Sequence, residues 1–336
     1  MQKIPDHRWR AEASEIYRQY HIYHQSGGVE QSVFDATSGR PSRRSVVVAH
    51  HLAQALNLKG TGRLLDFGSG NGAMLAAFSE VRPQWSLFGF ELDDRNLARH
   101  TEIPGFCELY TGALNNVSGR FDLVTMSHAL EHLQTPESVL RHLAPKLARD
   151  GRLFVQVPDA GVNPFDLVVA DHLCHFTPDT LALLVSRSGF AIERIQTNWI
   201  TKEISLLARL GDSPDTPQTR VGVPLTIDRV RERISWLHAV LEGARCAATT
   251  RPFGLFGTSI SATWLFGQLA DDVEFFVDED PARIGGRHLD RPIWRPDEAP
   301  ADAVVYLVLL PALAQSVRER LRTLPLRLCL PPSFPV

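Results

Sequence analysis

Arg63-Leu64-Leu65-Asp66-Phe67-Gly68-Ser69-Gly70-Asn71-Gly72 reads as a buried strand running into a glycine turn that opens a helix. The apolar run before Gly68 suits a central parallel strand covered on both faces. Three alternating glycines let the backbone approach a ligand that any Cβ would hold off. Ala73-Met74-Leu75-Ala76-Ala77-Phe78 is good helix sequence, so the free N–H groups and positive dipole end of that helix would face the ligand. Such a turn suits a nucleotide cofactor.

Gly68-x-Gly70-x-x-Ala73 also satisfies the dinucleotide fingerprint, which tolerates Ala at its last position. Asp66, two residues before the first glycine, instead completes Asp-x-Gly-x-Gly-x-Gly, which resembles motif I of class I S-adenosylmethionine-dependent methyltransferases. Residues 85–90 read as the next strand, and Glu91 ends it at about the 20-residue spacing where an acid takes ribose hydroxyls. Both cofactors use such an acid. Glu91 therefore supports a nucleotide without choosing between S-adenosyl-L-methionine and NAD(P).

At 336 residues and 44% hydrophobic content, the chain suits two ordinary cores. A net charge of −3 argues against a nucleic-acid footprint and toward a small-molecule ligand. The first residues, Met1-Gln2-Lys3-Ile4-Pro5-Asp6-His7-Arg8, lack the apolar core of a signal peptide, and no apolar run has the roughly 18 residues of a membrane span. The expectation is a cytoplasmic protein. Cys107, Cys174, Cys246 and Cys329 are far apart, with no Cys-x-x-Cys pair, and are expected to be buried thiols.

Residues 1–44 read as a helical extension or lid. Tyr17, Tyr20 and Tyr23 fall there at helical spacing; Tyr20 and Tyr23 could close over cofactor or substrate, although such a stripe more often packs on the domain body. From 45 to 210, helices alternate with seven strands, at 63–67, 85–90, 105–110, 121–126, 152–157, 190–196 and 203–209, the last antiparallel because the final turn is short. Residues 93–100 are expected to be a helix, and Asp150-Gly151 to precede the strand over 152–157. Thr177-Pro178-Asp179 should open a helix that Gly189 closes. Ser127-His128-Ala129-Leu130-Glu131-His132 falls at the carboxyl end of strand four, where parallel α/β sheets bind ligands. His132 is expected to face solvent.

This order, with Leu130-Glu131-His132-Leu133 after strand four and His175-Phe176-Thr177-Pro178 leading into Ser188-Gly189-Phe190, resembles the seven-stranded, Rossmann-like α/β domain of class I methyltransferases. The resemblance implies that Asp66, Gly68, Ser69, Gly70 and Gly72 cradle the methionine part of the cofactor, that Glu91 takes the ribose and that Leu92 flanks the adenine. It implies further that Ser127 and His128 line the site under the sulfonium. Many members carry an acid at the adenine edge, where this chain has Thr111-Gly112-Ala113-Leu114, so Ala113 and Leu114 would serve through backbone N–H groups.

Residues 211–248 read as a turn-rich linker followed by a long helix capped by Thr226, with Ile227, Val230, Ile234, Leu237, Leu241 and Ala244 as its packing face. Residues 249–336 then repeat the strand-turn-helix-strand-acid plan in a smaller Rossmann-like α/β domain, from Phe253-Gly254-Leu255-Phe256 through Gly257-Thr258-Ser259 to Asp278. Together with Val277-Asp278-Glu279-Asp280-Pro281 and Pro292-Ile293, this half resembles the C-terminal domain of sugar C-methyltransferases, which forms a wall of the substrate cleft. The resemblance implies that Gly257, Thr258 and Ser259 hold a nucleotide-sugar phosphate at the helix start; a docking or dimerising remnant is the alternative. That family's cysteine-zinc module is missing, and its Tyr-x-Glu-His run is here Val169-Ala170-Asp171-His172.

Methyl transfer needs an aligned acceptor and, where the acceptor is protonated, a base near neutral pKa. The segment after strand five offers Asp166, Asp171, His172 and His175. His172 is the expected base, oriented by Asp171, with His175 second. A metal held by Asp171, His172 and His175 would lack a third certain ligand, and none is assigned. The expectation is a methyltransferase that modifies carbon or oxygen of a sugar or nucleotide-sugar. The alternatives are an NAD(P)-dependent oxidoreductase and a non-enzymatic partner protein that retains the fold.

Overall fold

The computed structural model describes residues 30, 32–34, 41–58, 60–211 and 225–334. Tyr17, Tyr20 and Tyr23, with most of the expected lid, lie outside the described residues. Contacts divide the described chain into two compact units, residues 33–162 with 170–211, and 163–169 with 225–334.

The first unit opens with a two-stranded ribbon, Ser32–Phe34 and Pro41–Arg43, and helix α1 (Arg44–Ala55). Strand β1 (Arg63–Phe67) leads into α2 (Ala73–Val81), β2 (Ser86–Glu91), α3 (Leu97–Thr101), β3 (Phe106–Thr111) and β4 (Phe121–Ser127). Helix α4 (Pro136–Leu143), β5 (Leu147–Pro158), α5 (Pro178–Arg187), β6 (Phe190–Gln196) and β7 (Glu203–Leu210) complete it. The sheet runs β3-β2-β1-β4-β5-β7-β6. β7 is antiparallel to both of its neighbours, and the other pairings are parallel.

Both faces of this sheet are covered. Leu64, Leu123 and Phe154 pack with Leu75 and Phe78 of α2 on one side, while Leu65, Val124 and Val155 pack with Leu140, Leu181 and Val185 on the other. Each such fully buried side chain contributes roughly 1.5–3 kcal/mol. That explains why the central strands read as continuous apolar runs. Thr177 and Thr180 form a reciprocal cap at the start of α5, and Gly189 follows the helix at φ +91°.

Three expectations are corrected by the structure. Asp150-Gly151 lies inside β5, at a register shift against β4, and a Cβ on Gly151 would meet the Phe121 carbonyl at 2.7 Å. Its glycine marks a bulge within the strand. The helix expected over 93–100 begins only at Leu97, because Asp93 accepts the Arg95 N–H at 3.1 Å in a local turn. The cysteines are not buried: Cys107 and Cys246 are exposed, and Cys174 and Cys329 are partly so.

The second unit holds a long helix α6 (Ile227–Ala247), then β8 (Phe253–Phe256), α7 (Ile260–Leu269), β9 (Phe275–Val277), β10 (Arg287–His288), β11 (Arg291–Trp294), β12 (Val304–Tyr306), α8 (Pro311–Arg320) and β13 (Arg327–Cys329). Its sheet order is β10-β11-β9-β8-β12-β13. All pairings are parallel except β10 with β11. Thr226 caps α6 by accepting the Arg229 N–H at 3.3 Å. The buried face of α6 is Arg233, Trp236, Leu237, Val240 and Ala244, whereas Ile227 and Ile234 are 73% and 56% exposed. Trp236 turns the helix toward its own partners: its indole N–H donates to the Pro332 carbonyl at 3.0 Å, and Phe165 packs edge-on at 5.5 Å. Among the described residues, no helix is long and apolar enough to cross a membrane.

Candidate active site

Gly68, Gly70 and Gly72 all take positive φ, at +75°, +56° and +84°. At Gly68 a side chain is excluded twice over, because a Cβ there would also come within 2.8 Å of Ala129 Cβ. The turn is fastened on several sides. The Phe90 carbonyl accepts the N–H groups of Gly68 and Ser69 at 2.9 and 3.3 Å. Glu91 accepts the Gly70 N–H with Oε1, and the Leu92 N–H with Oε2 at 3.0 Å. Asn96 Nδ2 donates to the Gly70 carbonyl at 3.0 Å. His100, fully buried, donates from Nδ1 to the Asn96 carbonyl at 2.8 Å, and its Nε2 accepts the Ser69 hydroxyl at 3.0 Å.

Asp66 lies beneath the turn, 2% exposed, and register places Thr125 of β4 beside it. Thr125 Oγ1 donates to Asp66 Oδ1 at 2.6 Å. Burial drives the Asp66 pKa up to about 7; the Thr125 hydrogen bond opposes this, and the neighbouring Glu91 carboxylate adds to it. Leu92 is 69% exposed at the end of β2. Ala113 is exposed and Leu114 half-buried at the turn after β3.

These features fit S-adenosylmethionine. The glycine turn is a cradle that a Cβ would fill, Glu91 presents a carboxylate over it, and Leu92 leaves apolar surface that an adenine could cover.

A second group of side chains gathers after β4, against the glycine turn through the Gly68–Ala129 contact. Ser127 donates its hydroxyl to Gln156 Oε1 at 2.9 Å. His128 sits at φ +52°, a conformation uncommon outside glycine, and its ring bridges two acids. Nδ1 lies 3.1 Å from Glu131 Oε1, and Nε2 lies 3.2 Å from Glu203 Oε1. Arg44 of α1 reaches the same Glu203 oxygen at 3.2 Å. Burial and the Arg44 guanidinium push the His128 pKa down, but Glu203 and Glu131 outweigh them and lift it to about 9. Glu203 is held at about 2, because His128 and Arg44 together outweigh its burial. The two acids thus favour the protonated form of His128.

His132 does not face solvent. Its Nδ1 lies 3.1 Å from both the backbone oxygen and Oδ2 of Asp171, and its ring meets that of His172 edge-on with centroids 4.8 Å apart. Burial would lower the His132 pKa, but Asp171 and Glu131 raise it. The Asp171 and Glu131 carboxyls are held below their usual range, because the histidines outweigh burial in each case. Asp171 thus aligns on His132, and His172, which it was expected to orient, also bears on its carboxyl. His172 is 8% exposed, and His175 is half-buried beside Phe176. Asp166 lies on the 163–169 segment of the second unit.

In the second unit, the Gly257 N–H donates to the Val277 carbonyl at 2.7 Å. Thr258 Oγ1 donates to Asp278 Oδ2 at 2.9 Å and receives Arg283 Nη1 at 2.5 Å. Ser259 lies at the start of α7, its hydroxyl 3.0 Å from that of Ser261. The Gly257 and Thr258 donors expected to hold a phosphate are engaged within the loop, and Asp278 places an acid beside them.

Residues 42–195 match the family model described as a methyltransferase domain. That span contains the glycine turn, Glu91 and the whole His128–His172 group. Those residues form a methyltransferase domain, and the cofactor it takes is S-adenosylmethionine. No curated protein matches the sequence. Among solved structures, the methyltransferase is similar to a 1,6-didemethyltoxoflavin-N1-methyltransferase from Burkholderia thailandensis, at 19% identity and a TM-score of 0.48 over 63% of this chain and 93% of that one. It is also similar to the mitomycin 7-O-methyltransferase MmcR, at 20% identity and a TM-score of 0.42 over 50% of this chain, and it spans about half of the MmcR length, 53%. An S-adenosylmethionine-dependent methyltransferase from Clostridium acetobutylicum is 11% identical, with a TM-score of 0.42 over 58% of this chain and 99% of that one.

Proposed function

We propose that this methyltransferase acts on a sugar or nucleotide-sugar, at oxygen or at carbon beside a carbonyl, with His172 taking the acceptor proton in the metal-free protein. The observation that carries the reading is the imidazole and carboxylate group Glu131, His132, Asp171 and His172, beside the segment after β4 whose Ala129 meets Gly68 of the glycine turn. A phenol or a thiol loses its proton easily, whereas a sugar hydroxyl or a carbon acid needs a positioned base. When bound, S-adenosylmethionine supplies an electrophilic methyl group. Asp66, the glycine turn and Glu91 would bind it, and protonated His128 would steady developing negative charge on the acceptor.

The test is methyl transfer from labelled S-adenosylmethionine to a panel of nucleotide-sugars, phenols and amines. Nucleotide-sugars are expected to be the acceptors. His172→Ala should lower kcat about 10²–10⁴-fold, with S-adenosylhomocysteine affinity unchanged. Turnover of phenols or amines alone, or an equally active His172→Ala variant, would contradict the reading.

A further inference from the structure

The side chains after β4 exceed what a lone histidine base requires. Glu131 is 1% exposed; Oε1 faces His128 Nδ1 at 3.1 Å, while Oε2 is buried with no hydrogen-bond partner. Leaving a buried carboxylate oxygen unpaired is unfavourable, and a cation beside it would remove that penalty. His132 donates Nδ1–H to the Asp171 backbone carbonyl, with the Asp171 carboxylate also 3.1 Å from Nδ1, which fixes the tautomer with the lone pair on Nε2. A histidine held this way by a backbone carbonyl, with a carboxylate beside it, is a usual arrangement of a metal ligand and its orienting partners. The potential ligand atoms of Glu131, His132 and His172 all lie within 4.8 Å of one another. A cation with bonds of about 2.1 Å sets neighbouring ligand atoms roughly 3.0–3.4 Å apart, so side-chain rotations would close this set.

We infer that Glu131, His132 and His172 form a site for one divalent transition-metal cation, with Asp171 and His128 orienting two of the three ligands. The set differs from the Asp171, His172 and His175 group that spacing alone offered, because Glu131 and His132 come from the segment after β4 and only His172 from the one after β5. Two imidazoles with one carboxylate favour Zn²⁺, Mn²⁺, Fe²⁺ or Co²⁺ over Mg²⁺ and Ca²⁺, which prefer oxygen. Three protein ligands leave coordination positions open. The role of the cation rests on the proposed methyl transfer: it would gather an acceptor hydroxyl beside the glycine turn and lower its pKa, with His172 then a ligand and the proton passing to solvent. Its binding does not depend on that role.

The test is titration of the chelator-treated full chain with Co²⁺, followed by visible absorption, with S-adenosylhomocysteine affinity measured on the same samples. One Co²⁺ per chain is expected, displaced by Zn²⁺. Affinity should fall at least about tenfold in Glu131→Gln, and about 10–100-fold in Asp171→Asn, which alters only the orienting group. S-adenosylhomocysteine binding should persist in both variants. No Co²⁺ or Zn²⁺ binding by the wild type, or unchanged affinity in Glu131→Gln and Asp171→Asn, would overturn the site while leaving the methyl-transfer reading intact. Absence of S-adenosylhomocysteine binding in the wild type would instead count against that reading, whatever the cobalt result.

Discussion

Replacing Glu203 by alanine is expected to lower the free energy of unfolding by about 3–5 kcal/mol near pH 6, the usual cost of stranding buried charge. Glu203 Oε1 stands between Arg44 Nη1 and His128 Nε2, each 3.2 Å away, and those two groups are themselves 3.0 Å apart. Without the carboxylate they face one another in a largely buried space. The pH dependence follows from the directions of the two shifts. The Glu203 pKa falls from 4.5 to about 2, so its contribution is complete above 4.5 and is lost as pH drops toward 2. The His128 pKa rises from 6.5 to about 9, so its contribution is complete below 6.5 and is lost as pH climbs through 9. Urea unfolding of both proteins across this range should show the largest difference between the two limits, narrowing on either side. A difference below about 1 kcal/mol at pH 6, the level of an exposed pair, would contradict the assignment.

Asp66→Asn is expected to act in opposite directions on stability and on binding. An acid whose folded pKa is raised from 3.8 to about 7 contributes most when protonated, and the molecule loses that stability as pH rises from 3.8 through 7. The loss approaches roughly 4 kcal/mol above pH 7, at 1.36 kcal/mol per unit. Asparagine keeps an acceptor for Thr125 Oγ1 and carries no charge. The variant should therefore be more stable than the wild type at pH 8 by up to that amount, and little different at pH 4. A carboxylate that destabilises the empty fold makes sense if a cationic ligand uses it. S-adenosylmethionine should bind the wild type more tightly as pH rises through 7, whereas Asp66→Asn should bind weakly and without that dependence. Calorimetry and thermal unfolding at the two pH values check both halves. A variant that is neither stabilised nor impaired would remove Asp66 from the account.

The parts of the fold and site that were legible in the sequence are those whose physics is local. β1 through β4 were readable because strands covered on both faces must be apolar throughout, and the glycine turn because its conformations exclude side chains. Asp66 and Glu91 follow from their fixed spacing to that turn. That Gly151 lies inside β5 and not ahead of it shows only in the β4–β5 register, where its glycine marks a bulge. On α6 the threes-and-fours pattern fits two neighbouring faces, and the partners of Trp236 select the one that leaves Ile227 and Ile234 outside. Arg44 and Glu203 left no trace in the sequence, since they meet across 159 positions. Asn96 and His100 hold the turn from the far side of β2, through contacts that no local pattern encodes. Glu131 was visible only as part of Leu130-Glu131-His132-Leu133; its unpaired oxygen is a property of the folded chain.

The most direct test of the central claim is isothermal titration of S-adenosylhomocysteine and of NADH into the wild type and into Glu91→Ala, with unfolding temperatures confirming that both are folded. The wild type should bind S-adenosylhomocysteine and not NADH, and Glu91→Ala should bind it about 10–100-fold more weakly, the loss expected for hydrogen bonds to a charged group. Equal affinity of the two proteins for S-adenosylhomocysteine, or binding of NADH in its place, would contradict the assignment of the cofactor to this turn.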